Sequence, residues 1–510
     1  MTLPASPDLS HLKKQAKQLL RAAAAGDAAA LGRFAAALPA RPPLAALRLH
    51  DAQSVLAREH GFRSWTELKR YVEWKRTDLA ARLKAWLAWV YEGNARERRL
   101  AIRMLAEEPD VFASDPWLAC AVGDEAAVRR ALSDDAAWVN RPGGALGMPP
   151  LVAVTHSGLI REEGFAPRLL ACAGLLLRHG ADVDARWTDP NWPDWPFSAL
   201  YGAAGRTHHA GMTELLLEAG ANPDDNESLY HSVEASDSAC TRLLLAAGAR
   251  VTGTNAIAHV LDYDKLEDLQ LMLRHGGDPN EQPWLHHAIL RGRSLAHVQA
   301  LVEAGADLRA RDGEGISLYR WAQARGRLDV VGMLRAAGIE EPLTQEEEFV
   351  AACTRGDDAA ARAILERLPD IVARLSPGQL QIMPELAGLG AHAAVRTMLA
   401  LGWPREVKAG WDATALNLAV FQGDAAMARL LLAAGADWRT LHGYGDTVLG
   451  TLSFASQADG VGEPAPRDYP GCARALVEHG VPLAELRRYR FSPEVADYLE
   501  ALPEPADRPS

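Results

Sequence analysis

Three histidines return at nearly equal intervals in the middle of this 510-residue chain: His231, His259 and His287, with Arg320 at the comparable point of the next interval. Glu234 and Asp262 follow the first two by three residues, and Tyr263 and Arg291 follow the second and third by four. If each stretch is helical, residues three and four apart share a face. Imidazoles, carboxylates, a phenol and a guanidinium would then gather in one strip. Such a strip could bind or transform a small polar ligand, since coupled titrating groups in a sheltered groove are where functional sites concentrate. His156 and Arg206 fall at comparable places in the two preceding intervals. A metal centre would be the sharper form of the idea, with Glu234 or Asp262 beside the imidazoles. No H-x-x-x-H spacing supports it, so neither metal nor cofactor is expected. No phosphate loop, G-x-S-x-G elbow or H-E-x-x-H is present either, and no catalytic residue is assigned. The bland alternative is a set of hydrogen-bonding structural side chains, because repeats copied from one ancestor are not independent draws.

The elements that must position these residues are written in recurring helix ends. Leu-Leu-Leu-Arg-His-Gly-Ala-Asp-Val-Asp fills residues 175–184, and Leu-Leu-Leu-Glu-Ala-Gly-Ala-Asn-Pro-Asp fills 215–224. Variants end at Gly248, Gly276, Gly305, Gly338, Gly402, Gly435 and Gly480. The apolar run reads as the buried face of a helix, and the Gly as the left-handed residue that ends it. These residues resemble the ankyrin repeat, whose helix pair ends in L-L-x-x-G-A-D and whose next repeat opens with T-P-L-H-x-A. Matching openings stand at Ser198-Ala199-Leu200-Tyr201, Glu227-Ser228-Leu229-Tyr230, Pro283-Trp284-Leu285-His286, Thr414-Ala415-Leu416-Asn417 and Thr447-Val448-Leu449-Gly450. The resemblance implies an all-α solenoid of stacked helix pairs over roughly residues 110–500, since one such unit cannot bury its own apolar face.

Spacing then locates a candidate site. The helix-ending glycines lie 40, 28, 28, 29, 33, 64, 33 and 45 residues apart from Gly180 to Gly480, against an ankyrin period of about 33. The 64 reads as two repeats with a worn motif near Leu365-Glu366-Arg367-Leu368-Pro369. The three short intervals lose their residues from the β-hairpin finger between repeats, so fingers are trimmed between residues 220 and 286. The finger before Tyr201 is instead extended and contains Trp187, Trp192 and Trp195. These three read as exposed interface anchors in a Pro-rich loop. Gly443-Tyr444-Gly445 reads as an ordinary inter-repeat loop that needs no phosphate to explain it. In the ankyrin family the first helix of each repeat lines a concave side. The resemblance therefore implies that His231, His259, His287 and Arg320, flanked by Glu234, Asp262, Tyr263 and Arg291, face the region of trimmed fingers, with Arg206 nearby.

The first 76 residues stand apart. They hold thirteen Lys/Arg against six Asp/Glu, while the whole chain carries a net charge of −12, leaving −19 for the remainder. Residues 9–38 place apolar side chains at helical spacing up to Pro39, and Pro42-Pro43 break the pattern. The segment is similar to the helical leader of a group of bacterial ankyrin-repeat proteins. Ala57-x-x-x-Gly61 followed by Ser64-x-x-x-Leu68 also mimics a helix-turn-helix that would offer Arg63, Lys69 and Arg70 to DNA. The simpler expectation is a helix hairpin with Trp65 and Leu68 in its core.

The resulting division is a leader at 1–76, a helical connector at 77–110 and repeats with trimmed fingers at 111–340. Degenerate repeats follow at 341–402, C-terminal repeats at 403–500 and a tail at 501–510. Residues 1–14 lack a signal-peptide pattern, no stretch approaches a membrane span, and five scattered cysteines without C-x-x-C suit a reducing cytoplasm. The expected function is a scaffold that recognises a protein partner on its concave face. The alternatives are a groove for a small polar ligand and a DNA-binding regulator. The acidic repeats disfavour nucleic acid, and no membrane association is expected.

Overall fold

The structure, a computed structural model, describes residues 3–4, 7–38, 47–113, 115–190, 192–457 and 467–502. The stop at Pro39, the Pro42-Pro43 break and most of the expected tail lie outside the described residues. The chain divides into two compact units, Met1–Ser232 and Val233–Ser510.

The first unit opens with four helices, Leu9–Ala24, Ala28–Ala37, Leu49–Glu59 and Trp65–Lys75. Asp8, Asp27 and Ser64 cap the first, second and fourth by accepting from backbone N–H groups of the first turn. Leu12, Ala16, Leu19 and Ala23 recur one and two turns apart and are all buried. Ala16, Leu19, Ala23, Phe34, Ala52, Val55 and Leu56 make one core, with Trp65 packed against it. The leader thus has its own apolar centre. Helices Leu79–Tyr91 and Ala95–Glu107 follow, then the helix pairs of the repeats, such as Pro116–Val122 with Glu125–Asp134.

The second unit continues in helix pairs. Ala256–Asp262 precedes Leu266–Arg274, Trp284–Leu290 precedes Leu295–Glu303, and Leu318–Ala324 precedes Leu328–Ala336. The long interval before Gly402 contains two pairs, Gln345–Thr354 with Asp358–Arg367 and Pro377–Gly388 with His392–Ala400, and a single turn Ile371–Arg374 between them. One core runs from Phe349 through Met383, Val395, Leu416, Leu431 and Leu449 to Leu476 and Leu499. A buried Leu stabilises by about 1.5–3 kcal/mol, and most of that burial comes from neighbouring pairs, which is why a single pair would not stand alone.

All nine helix-ending glycines adopt positive φ, from 72° at Gly338 to 101° at Gly305. A β-carbon at Gly180 or Gly305 would meet nothing within 4 Å. Glycine therefore supplies left-handed backbone there, not space. The polar residues beyond it have a use as well. Asn140 Nδ2 donates to the Gly180 carbonyl at 2.9 Å while its Oδ1 accepts from Asp182 N at 2.8 Å. Asn280 repeats both bonds with Gly305 and Asp307, at 2.9 and 2.8 Å. Each such side chain stitches one loop to the next.

Fingers are small. β1 (Arg186–Thr188) pairs antiparallel with β2 (Pro196–Ser198), and β3 (Lys408–Ala409) with β4 (Ala413–Thr414). Isolated bridges join Gly143 to Met148 and Arg311 to Ser317. Among the described residues no strand or bridge lies between 199 and 310. No helix among them is long and apolar enough to cross a membrane.

Candidate functional site

In the second unit the carboxylates of the polar strip do not serve their own helices. Glu234 Oε1 lies 3.0 Å from Nε2 of His259, in the following repeat. Asp262 Oδ1 lies 2.7 Å from Nε2 of His287, again one repeat on, and also accepts from Arg291 Nε at 2.7 Å. His259 is buried, its ring 4.6 Å from that of Tyr263. Burial raises the Asp262 carboxyl, but the His287 hydrogen bond and the Arg291 charge outweigh it and hold the pKa below the usual value. Arg320, at the next comparable position, is 3.1 Å from Glu341 and 3.4 Å from Glu347. The spacing argument placed acid and base on one helix face. The stack instead joins them across repeats, because side chains on adjacent first helices approach one another more directly than those a turn apart.

In the first unit His231 lies 3.3 Å from Glu227, one turn earlier, with its ring edge-on to Tyr201 and Tyr230 at 5.4 and 4.9 Å. Arg206 Nε donates to the Tyr91 carbonyl at 2.8 Å, while Tyr91 Oη donates to Ala153 O at 2.9 Å. One expectation is corrected here. Trp187 is not an exposed anchor: it is 8% exposed, and its Nε1 donates to Leu146 O at 2.8 Å. Pairing with β2 turns this side chain inward. Trp192 and Trp195 do stand out, at 60% and 55% exposure. His156 is sealed in the core, where burial and then the Arg206 charge push its pKa down to about 3.

The helix-turn-helix-like segment of the leader keeps Arg63 and Lys69 exposed and Arg70 partly so. Of its three cations, Arg70 pairs with Glu97 at 2.5 Å and Lys69 lies 3.9 Å from Glu73. Leu68 is buried, and the Arg103 guanidinium covers the Phe62 ring at 3.9 Å. The helix Trp65–Lys75 is held against Ala95–Glu107 by its polar as well as its apolar side chains.

The residues that spacing of polar groups did not find are aromatic. Trp411 sits in the β3–β4 turn, and Tyr444 occupies the matching finger 33 residues later. Phe421 and Phe454, also 33 apart, end or follow the first helical turns of the same two repeats. Trp411 lies 5.0 Å from the His442 ring and 6.1 Å from those of Phe421 and Tyr444; Phe421 stacks near Phe454 at 6.4 Å and 12°. Tyr444 is 81% and Phe454 67% exposed. Two aromatics recurring at the repeat period were the available signal.

The turn carrying Trp411 is strained. Trp411 and Asp412 have φ of 36° and 54°, and Ala413 N donates to Gly410 O at 3.1 Å. A hairpin turn with two positive φ values ordinarily takes Asn-Gly, and each left-handed L-residue costs about 1–2 kcal/mol. Gly443 N donates to the Trp411 carbonyl at 3.0 Å, where a β-carbon would stand 2.8 Å from that oxygen. The two fingers touch through backbone because the second offers glycine.

A separate groove of about 720 Å³, lined by Leu365, Asp370, Val372, Leu380, Leu401 and Pro404, contains none of these side chains.

No protein-family model and no curated protein matches the chain. Among solved structures it is similar to the human ASB11 ankyrin repeat domain, with 20% identity over 45% of this chain and 99% of that one and a TM-score of 0.34. It is also similar to the ankyrin repeat domain of Bcl-3, with 19% identity over 52% and 92% and a TM-score of 0.27. Its recurring helix ends, nine left-handed glycines and stacked helix pairs make the chain an all-α repeat solenoid that resembles the ankyrin repeat.

Proposed function

We propose that the chain is a binding scaffold for a protein partner, which it engages through the first helices and fingers that line the concave side of its repeats. Support comes from how polarity is distributed. Acids and bases of the strip are hydrogen-bonded to one another, as in Glu234–His259 and Asp262–His287–Arg291. The hairpin β1–β2 also holds two large aromatics out, beside the exposed Arg186 and Asp194, and the exposure of Trp192 and Trp195 carries the reading. Aromatic side chains held out on a rigid element are the usual anchors of protein interfaces. A reducing compartment suits the five buried cysteines, none of which is in a disulfide.

The test is photo-crosslinking in the native host with benzoylphenylalanine in place of Trp192 or Trp195. Discrete protein adducts are expected at both positions, and none with the same group at Arg130, exposed on the helix Glu125–Asp134. Equal adducts at Arg130, or none at either tryptophan, would end the proposal.

A further inference from the structure

The aromatic rungs of the second unit go beyond a general scaffold. We propose that Trp411, Phe421, Tyr444 and Phe454 form the docking strip for a basic, partly apolar segment of a separate protein. Its Arg or Lys side chain lies across Trp411 and Tyr444, and an apolar side chain lies across Phe421 and Phe454. The inference rests on the scaffold reading and assigns it a place and a partner chemistry.

Four observations converge. The rings are not core: burial in these repeats is supplied by Leu416, Ala419, Val420, Leu449 and Leu452, while Tyr444 and Phe454 stay exposed. The arrangement occurs twice, once per repeat, and consecutive rungs touch, so it is a continuous surface and not a stray side chain. The backbone holds Trp411 in a left-handed conformation, the kind of local strain that gathers at binding sites.

The fourth is charge. Asp412 is exposed beside Trp411 and is the carboxylate offered to the cation; Asp446, two residues after Tyr444, is partly exposed but already accepts from Tyr489 Oη at 2.6 Å. The chain carries −12 overall and −19 beyond its first 76 residues. Lys408 is the opposing cation in the first finger. His442, between the rings, adds no charge at neutral pH, since burial and then Lys408, against the pull of Asp446, keep its pKa below the ordinary value. Aromatic faces beside carboxylates attract guanidinium and ammonium groups, and the acidic field steers a basic partner while repelling nucleic acid and acidic peptides.

A second copy of this chain is the competing occupant, because the leader is basic. Its helix Leu9–Ala24, however, buries Leu12, Ala16 and Leu19 in its own core. It offers Lys13, Lys14 and Lys17 without an exposed apolar anchor to set between Phe421 and Phe454.

The experiment pans a phage-displayed library of random peptides on the full chain, with counter-selection on the Tyr444→Ala/Phe454→Ala double variant. Surviving peptides should be basic with an aromatic or aliphatic residue. A synthetic peptide of their consensus should bind the double variant roughly tenfold or more weakly. Asp412→Asn should weaken it about threefold and flatten its salt dependence. Circular dichroism of both variants should match the wild type. Neutral or acidic consensus sequences, or no survivors, would overturn the inference. So would sedimentation showing a wild-type dimer that the double variant loses. Crosslinking through Trp192 and Trp195 is read independently: adducts there without basic survivors sink this strip and spare the scaffold, and failure of both sinks both.

Discussion

The second unit contains two rows of chemically conspicuous side chains at repeat spacing, and they have opposite fates. Between Glu234 and Arg320 several charged or titrating groups meet partners in another repeat: Glu234 with His259, Asp262 with His287 and Arg291, Arg320 with Glu341 and Glu347. From Trp411 to Phe454 the rings meet mainly one another and solvent. The residue types of the first row can do chemistry, and its acids and bases are joined across repeats. The second has no titrating chemistry to advertise and keeps its surface free. A group already satisfied within the protein has little left to offer a ligand, whereas an exposed aromatic face has all its contact area in reserve.

The contrast can be broken by substitution, and the largest effect belongs where pairing is most enclosed. Arg325 covers the Trp321 ring at 3.5 Å and donates to Glu385 at 2.8 Å. Burial lowers the Arg325 pKa and raises that of Glu385, each partly restored by the other's charge. Arg325→Ala strands a buried carboxylate and should cost about 3–5 kcal/mol in urea denaturation; a loss under about 1 kcal/mol would mean that the pair is not a fastening.

A smaller loss is expected in the half-exposed part of the row. Asp262→Ala removes the partner of both His287 and Arg291 and should cost about 1–2 kcal/mol at neutral pH. The sign with pH follows from its lowered pKa. A carboxylate depressed in the folded state stabilises above its unfolded pKa of about 3.9, and that stabilisation is lost as pH falls through the folded value. Wild type and variant should therefore differ by a constant amount above about pH 5 and converge only in acid. A gap that closes instead between pH 6 and 8, about where an ordinary histidine titrates, would assign the effect to His287.

The smallest effect sharpens the other side. Tyr444→Ala and Phe454→Ala should each change stability by no more than about 0.5 kcal/mol, because both rings are mostly in solvent. Thermal unfolding that drops by several degrees would make the rungs structural and remove the contrast.

Much of this was legible in the sequence, for local reasons. The apolar run and following glycine specify a helix and its end within a few residues, so all nine glycines adopt the backbone their positions imply. The trimmed intervals likewise correspond to a stretch without strand pairing. The site was less legible. Helical spacing places Glu234 and Asp262 among polar residues at repeat intervals but not their partners, since it reports only neighbours on the same helix. The burial of Trp187 and the partner of Arg206 were hidden for the same reason: what covers an indole or accepts from a guanidinium, here Leu146 and Tyr91, lies 41 and 115 residues away.

The sequence by itself determined where helices end, how long each repeat is and that the pairs must stack, because those follow from apolar periodicity and the φ of glycine. Only the tertiary structure decided which polar side chains are consumed and which surface is left over. Pairing across repeats depends on the offset between stacked helices, a quantity set by packing of the whole core and carried by no single segment. Tyr444 stays in solvent, and His259 and Asp262 do not, because the stack brings a complementary group to the latter pair and aromatic rings to the former.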